Sequence, residues 1–324
     1  MTSSFRALIL LAVVALLGAG CQPSAPEAPS YQFVQAWGTQ GDAPGEFFHP
    51  VGITIARGRV YVSDTGNNRI QVFDTTGTVL RSFDASNILS GPMQRPMHLE
   101  ATAHEKSPVT HLVVPEYGHD HLHLFGRKGG SQSTIGSTGS GSGQFDAPAG
   151  VAIGTAGQVY VADFYNHRVQ LLQPGTGQVR QWGTSDTSGS APGQFTYPTD
   201  VTLLPDGSLV VADAYNHRIQ RFGPEGNHQW TVPPNTTQPG STKTRFNVAT
   251  AVETGPQGRI FVADYYNHRI KIFSAEGKRL AMFGEQGSGE GQFVRPIDVA
   301  FDASGTLYVV DFGNNRIQVF APES

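Results

Sequence analysis

Three residues have the right types to gather a cation or a polar ligand at one point: His98, Asp200 and Asp298. One imidazole and two carboxylates offer the nitrogen and oxygen donors that zinc or calcium accepts. They fall at one equivalent position of a repeated segment, in the series Gly52, His98, Gly150, Asp200, Ala251 and Asp298. Residues able to ligate alternate with the smallest ones, so a closed six-fold ring would bring the three together with three-fold symmetry at its centre. A divalent cation, zinc or calcium, on the ring axis is the cofactor this pattern admits. The competing reading has each Asp capping a strand start and bonding local amides.

The repeat itself supplies the ring. An acidic residue opens a conserved-looking decapeptide at Asp64, Glu116, Asp163, Asp213, Asp264 and Asp311, at spacings of 47 to 52 residues. A period of this length signals a propeller or solenoid. Around each acidic residue lie short β-branched and aromatic runs, such as GITI, RVYVSD and RIQVF, with turn residues between them. These read as three strands per copy, and a fourth ends in an aromatic, as at Phe83, Trp182 and Phe283. Six copies of four strands give an all-β, six-bladed β-propeller. The last copy stops after its third strand, at Phe320, while FVQAWG (33–38) precedes the first as a surplus fourth strand. A strand at 31–38 can therefore complete the last blade and remove an open sheet edge.

Outside the ring, residues 1–20 carry Arg6 and an apolar run from Ala7 to Leu17, the length of a signal-peptide core. The small residues leading into Cys21 resemble the end of a bacterial lipoprotein signal. That resemblance implies lipidation of Cys21, export, and attachment to a bacterial membrane through lipid alone. Cys21 is the only cysteine, which excludes a disulfide framework and thiol catalysis. Residues 21–30, rich in Pro and Ser, read as a tether, leaving 31–324 as the propeller. A formal net charge of -4 provides no basic field for nucleic acid.

The copies typified by QVYVADFYNHRVQLL resemble NHL repeats across about residues 31–324. The resemblance implies a propeller that serves as a recognition platform, or as a lyase in peptide-amidating enzymes. The lyase's site resembles histidines from several blades with a tyrosine and an arginine; here only His98 matches, with Asp200 and Asp298 in place of the others. No G-x-S-x-G, H-E-x-x-H or C-x-x-C occurs. Ubiquitin-ligase roles in the family need a zinc-binding RING module, which one cysteine cannot build.

The pairs Asp64 and Arg69, Asp163 and Arg168, Asp213 and Arg218, Asp264 and Arg269, and Asp311 and Arg316 read as structural, satisfying turn amides and bridging blades. His167, His217 and His268 share one position that Asn68 and Asn315 fill elsewhere, which favours structure over metal binding. The second copy breaks the pattern, with six of the eleven histidines, an extra stretch at 103–108, and His119, His121 and His123 alternating. Tyr165, Tyr215, Tyr265 and Tyr266, with Phe164 and Phe312, beside the arginines mark a face for binding. The resulting expectation is a monomeric, lipid-anchored, extracytoplasmic module binding a protein, peptide or glycan. The alternative is a metal-dependent lyase- or hydrolase-like enzyme at the channel mouth.

Overall fold

The computed structural model describes residues 29–84, 92–102, 112–126, 130–173, 176–234, 238–240 and 245–323. The leader, Cys21 and most of the tether lie outside these residues, as does the extra stretch of the second copy. Six four-stranded antiparallel sheets form the blades. Blade one spans 53–83, blade two 100–135, blade three 148–183, blade four 198–232 and blade five 249–283. Blade six combines Pro296–Phe301, Leu307–Asp311 and Arg316–Pro322 with Tyr31–Trp37 from the other end of the chain. Tyr31 pairs with Pro322 and Trp37 with Ile317. Among the described residues no helix is long and apolar enough to cross a membrane.

The core is distributed as six apolar clusters, one at each junction between blades. Tyr61, Ile70 and Val72 of blade one meet Leu112, Val114 and Phe125 of blade two. Ala300, Tyr308 and Val310 of blade six meet Ile53, Val60 and Val62 of blade one and close the ring. A central strand is therefore covered on both faces, and Leu209–Asp213 and Ile260–Asp264 are buried throughout. Period-two exposure survives only where one face meets water, as along Tyr31–Trp37 and Val79–Phe83.

Loops between blades each drive one residue into a junction. Phe47, Phe145, Phe195, Phe246 and Phe293 are fully buried there, with Met93 as the blade-two counterpart. Two residues on, the chain turns through the left-handed region at His49, Arg95, Ala147, Tyr197, Val248 and Arg295, with φ between 51° and 66°. The first strand of each blade starts beyond that turn, so this kink aims its opening residues at the axis.

Candidate metal centre at the channel mouth

The repeated decapeptide is the mortar of the ring. In blade three, Asp163 Oδ1 accepts the amide of Asp146 at 2.8 Å. Its Oδ2 accepts Arg168 Nε at 2.7 Å, Asn166 Nδ2 at 2.9 Å and Gln170 Nε2 at 3.1 Å. The Arg168 guanidinium then reaches the carbonyls of Ser140, Gly141 and Gln144 and pins the preceding loop. Asp64, Asp213 and Asp311 repeat the arrangement with Arg69, Arg218 and Arg316. In blade five Lys271 stands where blades one, three, four and six have Gln and approaches Asp264 at 2.8 Å, with Arg269 at 3.7 Å. Buried carboxylates carrying this many charge-assisted bonds are structural, as the sequence pattern indicates.

The recurrent histidines have an equally specific task. His167 Nδ1 accepts the amide of Tyr197, His217 Nδ1 that of Val248, and His268 Nδ1 that of Arg295, at 3.0 to 3.2 Å. The donating amides belong to the left-handed residues of the next blade. Asn315, Asn68 and Asp120 place a carbonyl or carboxylate oxygen on His49, Arg95 and Ala147 in the same way. Only Asn, Asp and His combine tolerance of the left-handed region, which these six also occupy, with a short side-chain acceptor. Burial keeps the three imidazoles below their ordinary pKa, and so neutral, as an acceptor must be.

The axial residues behave differently. The first strand pairs with the second so that Pro198 faces Asp213 and Pro296 faces Asp311. Strand starts thus lie at the same end of the channel as the turns that follow each motif Asp. His98, Asp200 and Asp298 converge there, all buried, with one donor atom from each lying within 4.8 Å of the others. Asp298 Oδ2 accepts the amide of Ile53 at 2.9 Å, and Oδ1 its neighbour Val299 at 2.8 Å. Asp200 Oδ2 accepts the amide of Val252 at 2.9 Å. The two sequence readings are therefore compatible: each Asp bridges to the next blade and still faces the axis.

The small residues between them are a steric requirement. A Cβ on Gly150 would stand 2.5 Å from Asp200 Oδ1 and 2.6 Å from Thr199 O. One on Gly52 would meet Met97 O at 2.4 Å and the Cα of His98 at 2.8 Å. The Asp200 carboxylate at Gly150, and the backbone at Met97 and His98 beside Gly52, occupy the space that a neighbouring blade's side chain would need.

His98 Nδ1 lies 3.2 Å from Asp298 Oδ2, an ion-pair distance, but their alignment makes no acceptable hydrogen bond. Burial opposes its protonation, yet the carboxylates of Asp298 and Asp200 prevail and raise its pKa. Two residues further along the first strands, on the same face, Glu100 and Glu253 join the cavity of about 200 Å3 that encloses this group. Burial, reinforced by the neighbouring carboxylates, lifts Glu100 to about 8 and Glu253 well above the carboxylate range. Burial likewise takes Asp200 to about 7, with His98 pulling the other way. Among the described residues no Lys or Arg lines this cavity. Four carboxylates and an imidazole without a compensating cation form a set that a divalent ion would neutralise.

Around the mouth runs a chain of rings. Tyr117, Phe164, Tyr165, Tyr197 and Tyr215 touch in sequence, with centroids 4.9 to 6.2 Å apart. Tyr265 packs on Phe312, and His49 stacks on Phe312 and Phe48. Tyr165, Tyr215 and Tyr266 are exposed, while Tyr265 lies against Phe312 and beneath Arg295. Sequence reasoning passed over Glu100 and Glu253, although their two-residue offset from the ring of axial positions marks them. It also missed Arg95, Tyr197 and Arg295, each three residues ahead of an axial ligand and held at the rim by its left-handed turn.

The NHL repeat profile matches residues 47–73, 145–170, 195–222, 246–273 and 293–320. The chain carries five NHL repeats. The blade between the first two matches is the one whose motif has exchanged Asp and Arg for Glu and His. No curated protein shows significant sequence similarity to the chain. Among solved structures, virginiamycin B lyase from Staphylococcus aureus is similar at 16% identity and TM-score 0.59, covering 91% of this chain and 88% of that one. An auxiliary nutrient binding protein from Bacteroides thetaiotaomicron is similar at 15% identity and TM-score 0.65, over 91% and 73%. Another from Bacteroides ovatus gives 15% and 0.64 over the same shares. At these identities the likeness is one of fold, and that fold hosts both binding proteins and lyases.

Proposed function

We propose that this NHL propeller is an extracytoplasmic binding module, held at a bacterial membrane by a lipid on Cys21. In this reading its aromatic-rimmed mouth receives a ligand onto a divalent cation ligated by His98, Asp200 and Asp298. The observation that carries the reading is the coincidence of two features on one face. Of the six large hydrophobic residues exposed among the described residues, four lie on the turns and loops of that face: Phe48, Tyr165, Tyr215 and Tyr266. The axial triad lies toward the same end of the channel, and the uncompensated acidic cavity extends from it along the bore. Exposed aromatic rings supply contact area at small entropic cost, and a cation supplies a fixed point for oxygen donors. Arg95, over the Tyr117 ring at 4.4 Å, and Arg295, over Phe312 at 5.5 Å, add positive charge at the rim. The ligand class that answers all three is a peptide, protein loop or glycan presenting a carboxylate.

A metal-dependent lyase or hydrolase is the second reading, and the raised pKa values of Asp200 and Glu100 favour it, because carboxyls titrating near neutrality suit general acid–base work.

Glycan and peptide arrays probed with the cation-loaded protein separate the two readings. The binding module retains a carboxylate-bearing ligand unchanged and loses at least ten-fold affinity when Tyr165, Tyr215 and Tyr266 become Ser. Conversion of the captured compound to a product would support the enzyme instead, and no retention at all would reject the module.

A further inference from the structure

Blade two contains a second constellation, remote in construction from the axial one. At the motif positions where other blades have Asp, Asn, Arg and Gln, it has Glu116, His119, His121 and His123. Glu116 is completely buried, as is His123, and His121 is nearly so. His121 Nε2 lies 2.9 Å from Glu116 Oε2 and 3.1 Å from His123 Nε2, which itself closes on the same oxygen. Nothing at these positions replaces the arginine that neutralises the motif carboxylate elsewhere.

The tautomers make this convergence informative. His121 Nδ1 stands 3.0 Å from the carbonyl of His119, and a carbonyl can only accept, so Nδ1 carries the proton. In the neutral ring, Nε2 therefore presents a lone pair to Glu116 Oε2, another acceptor. His123 Nε2 closes on that same carboxylate oxygen, which can only accept, so without metal it carries the proton there, while its Nδ1 is buried with no hydrogen-bond partner among the described residues. Once a metal displaces that one proton, two imidazole nitrogens and one carboxylate oxygen face a common point, all within 4.8 Å of one another. Protonating both rings would place two cations 3.1 Å apart in the interior for one carboxylate.

We infer that Glu116 Oε2, His121 Nε2 and His123 Nε2 form a zinc-type metal site that takes over the role of the missing arginine. Ligands about 2.0–2.2 Å from a tetrahedral zinc stand roughly 3.3 Å from one another, so the two His121 separations need to open by only a few tenths of an ångström and the closer His123–Glu116 contact by about an ångström. Two imidazoles with one carboxylate suit zinc over calcium, which takes oxygen ligands. The outer contacts are of the kind that orient ligands: the His119 carbonyl fixes the His121 ring, and His119 Nδ1 holds Glu116 Oε1 at 2.6 Å. Binding would displace the protons shared among these groups and cross-link the second strand of blade two to its third.

The test compares the protein with a variant given the motif of the other blades: Glu116→Asp, His119→Asn, His121→Arg and His123→Gln. That variant restores an ion-paired cage and so is expected to fold without metal. Zinc titrated by calorimetry, with melting followed in parallel, should show one tight equivalent fewer in the variant. Chelation should lower the melting temperature of the parent more than that of the variant. A His121→Gln, His123→Gln pair should weaken the same equivalent at least 100-fold. Equal stoichiometry in parent and motif-restored variant would overturn the assignment, as would a parent that melts identically with zinc and with chelator while the variant does the same.

Discussion

The amide of Ile53 donates to Asp298 Oδ2 across 2.9 Å, joining two residues 245 positions apart in the chain. One carboxylate thereby seals blade six to blade one and faces the axis of the ring. Asp298→Ala strands two buried amides, Ile53 and Val299, and should cost about 1–3 kcal/mol in denaturant unfolding. Asp298→Asn keeps one acceptor and should cost less, yet both variants should lose axial cation binding. Equal stability losses would show that the amide bonds are not what the carboxylate contributes.

Gly150 touches no ligand, but it makes room for one. Its substitution by Ala should push the Asp200 carboxylate aside, because the new Cβ would lie 2.5 Å from Oδ1. Cation affinity, read by calorimetry, is expected to fall at least ten-fold with the fold retained in circular dichroism. Unchanged affinity would place the cation away from Asp200.

Without a cation, the axial carboxyls should make the protein less stable as pH rises. Asp200 and Glu100 have folded pKa values of about 7 and about 8, above those of the unfolded chain. The folded state binds more protons over that interval, so its advantage is full below the unfolded values and is lost as pH climbs through the folded ones. Melting temperature in chelator should therefore drop between roughly pH 4 and pH 8 by this linkage, and a saturating divalent cation should remove most of the drop. A flat profile in chelator would contradict the pairing of burial with mutual repulsion.

The capping histidines act in the opposite direction. Their folded pKa values lie below the ordinary value of 6.5, so the stability they contribute is present above that pH and is lost as pH falls below it. Replacing His167, His217 and His268 by Asn, the residue already at 68 and 315, preserves an acceptor that does not titrate. The triple variant should lose less stability than the parent between pH 7 and pH 5 in calorimetric melts.

The ring was legible because its determinants are local and repeated: strand composition, turn residues and an acidic mark every 47 to 52 residues. The axial triad was legible for the same reason, since equivalent positions in a closed ring must meet at its centre. What stayed hidden depends on atoms that no repeat announces. His167 and Asn68 look unlike in sequence, yet both do one job through an acceptor atom at the same place. Tyr265 and Tyr266 are adjacent, and only packing against Phe312 decides which is exposed. Glu116 was visible as an irregular residue, but the lone pair of His121 facing it depends on a hydrogen bond to the His119 carbonyl.

The most direct test of the account is anomalous diffraction from crystals grown with manganese or zinc. The account predicts a peak on the propeller axis bonded to His98, Asp200 and Asp298, absent in crystals of the His98→Ala, Asp200→Asn, Asp298→Asn variant. A map without an axial peak at saturating metal, from crystals in which the three side chains stand as described, would contradict it.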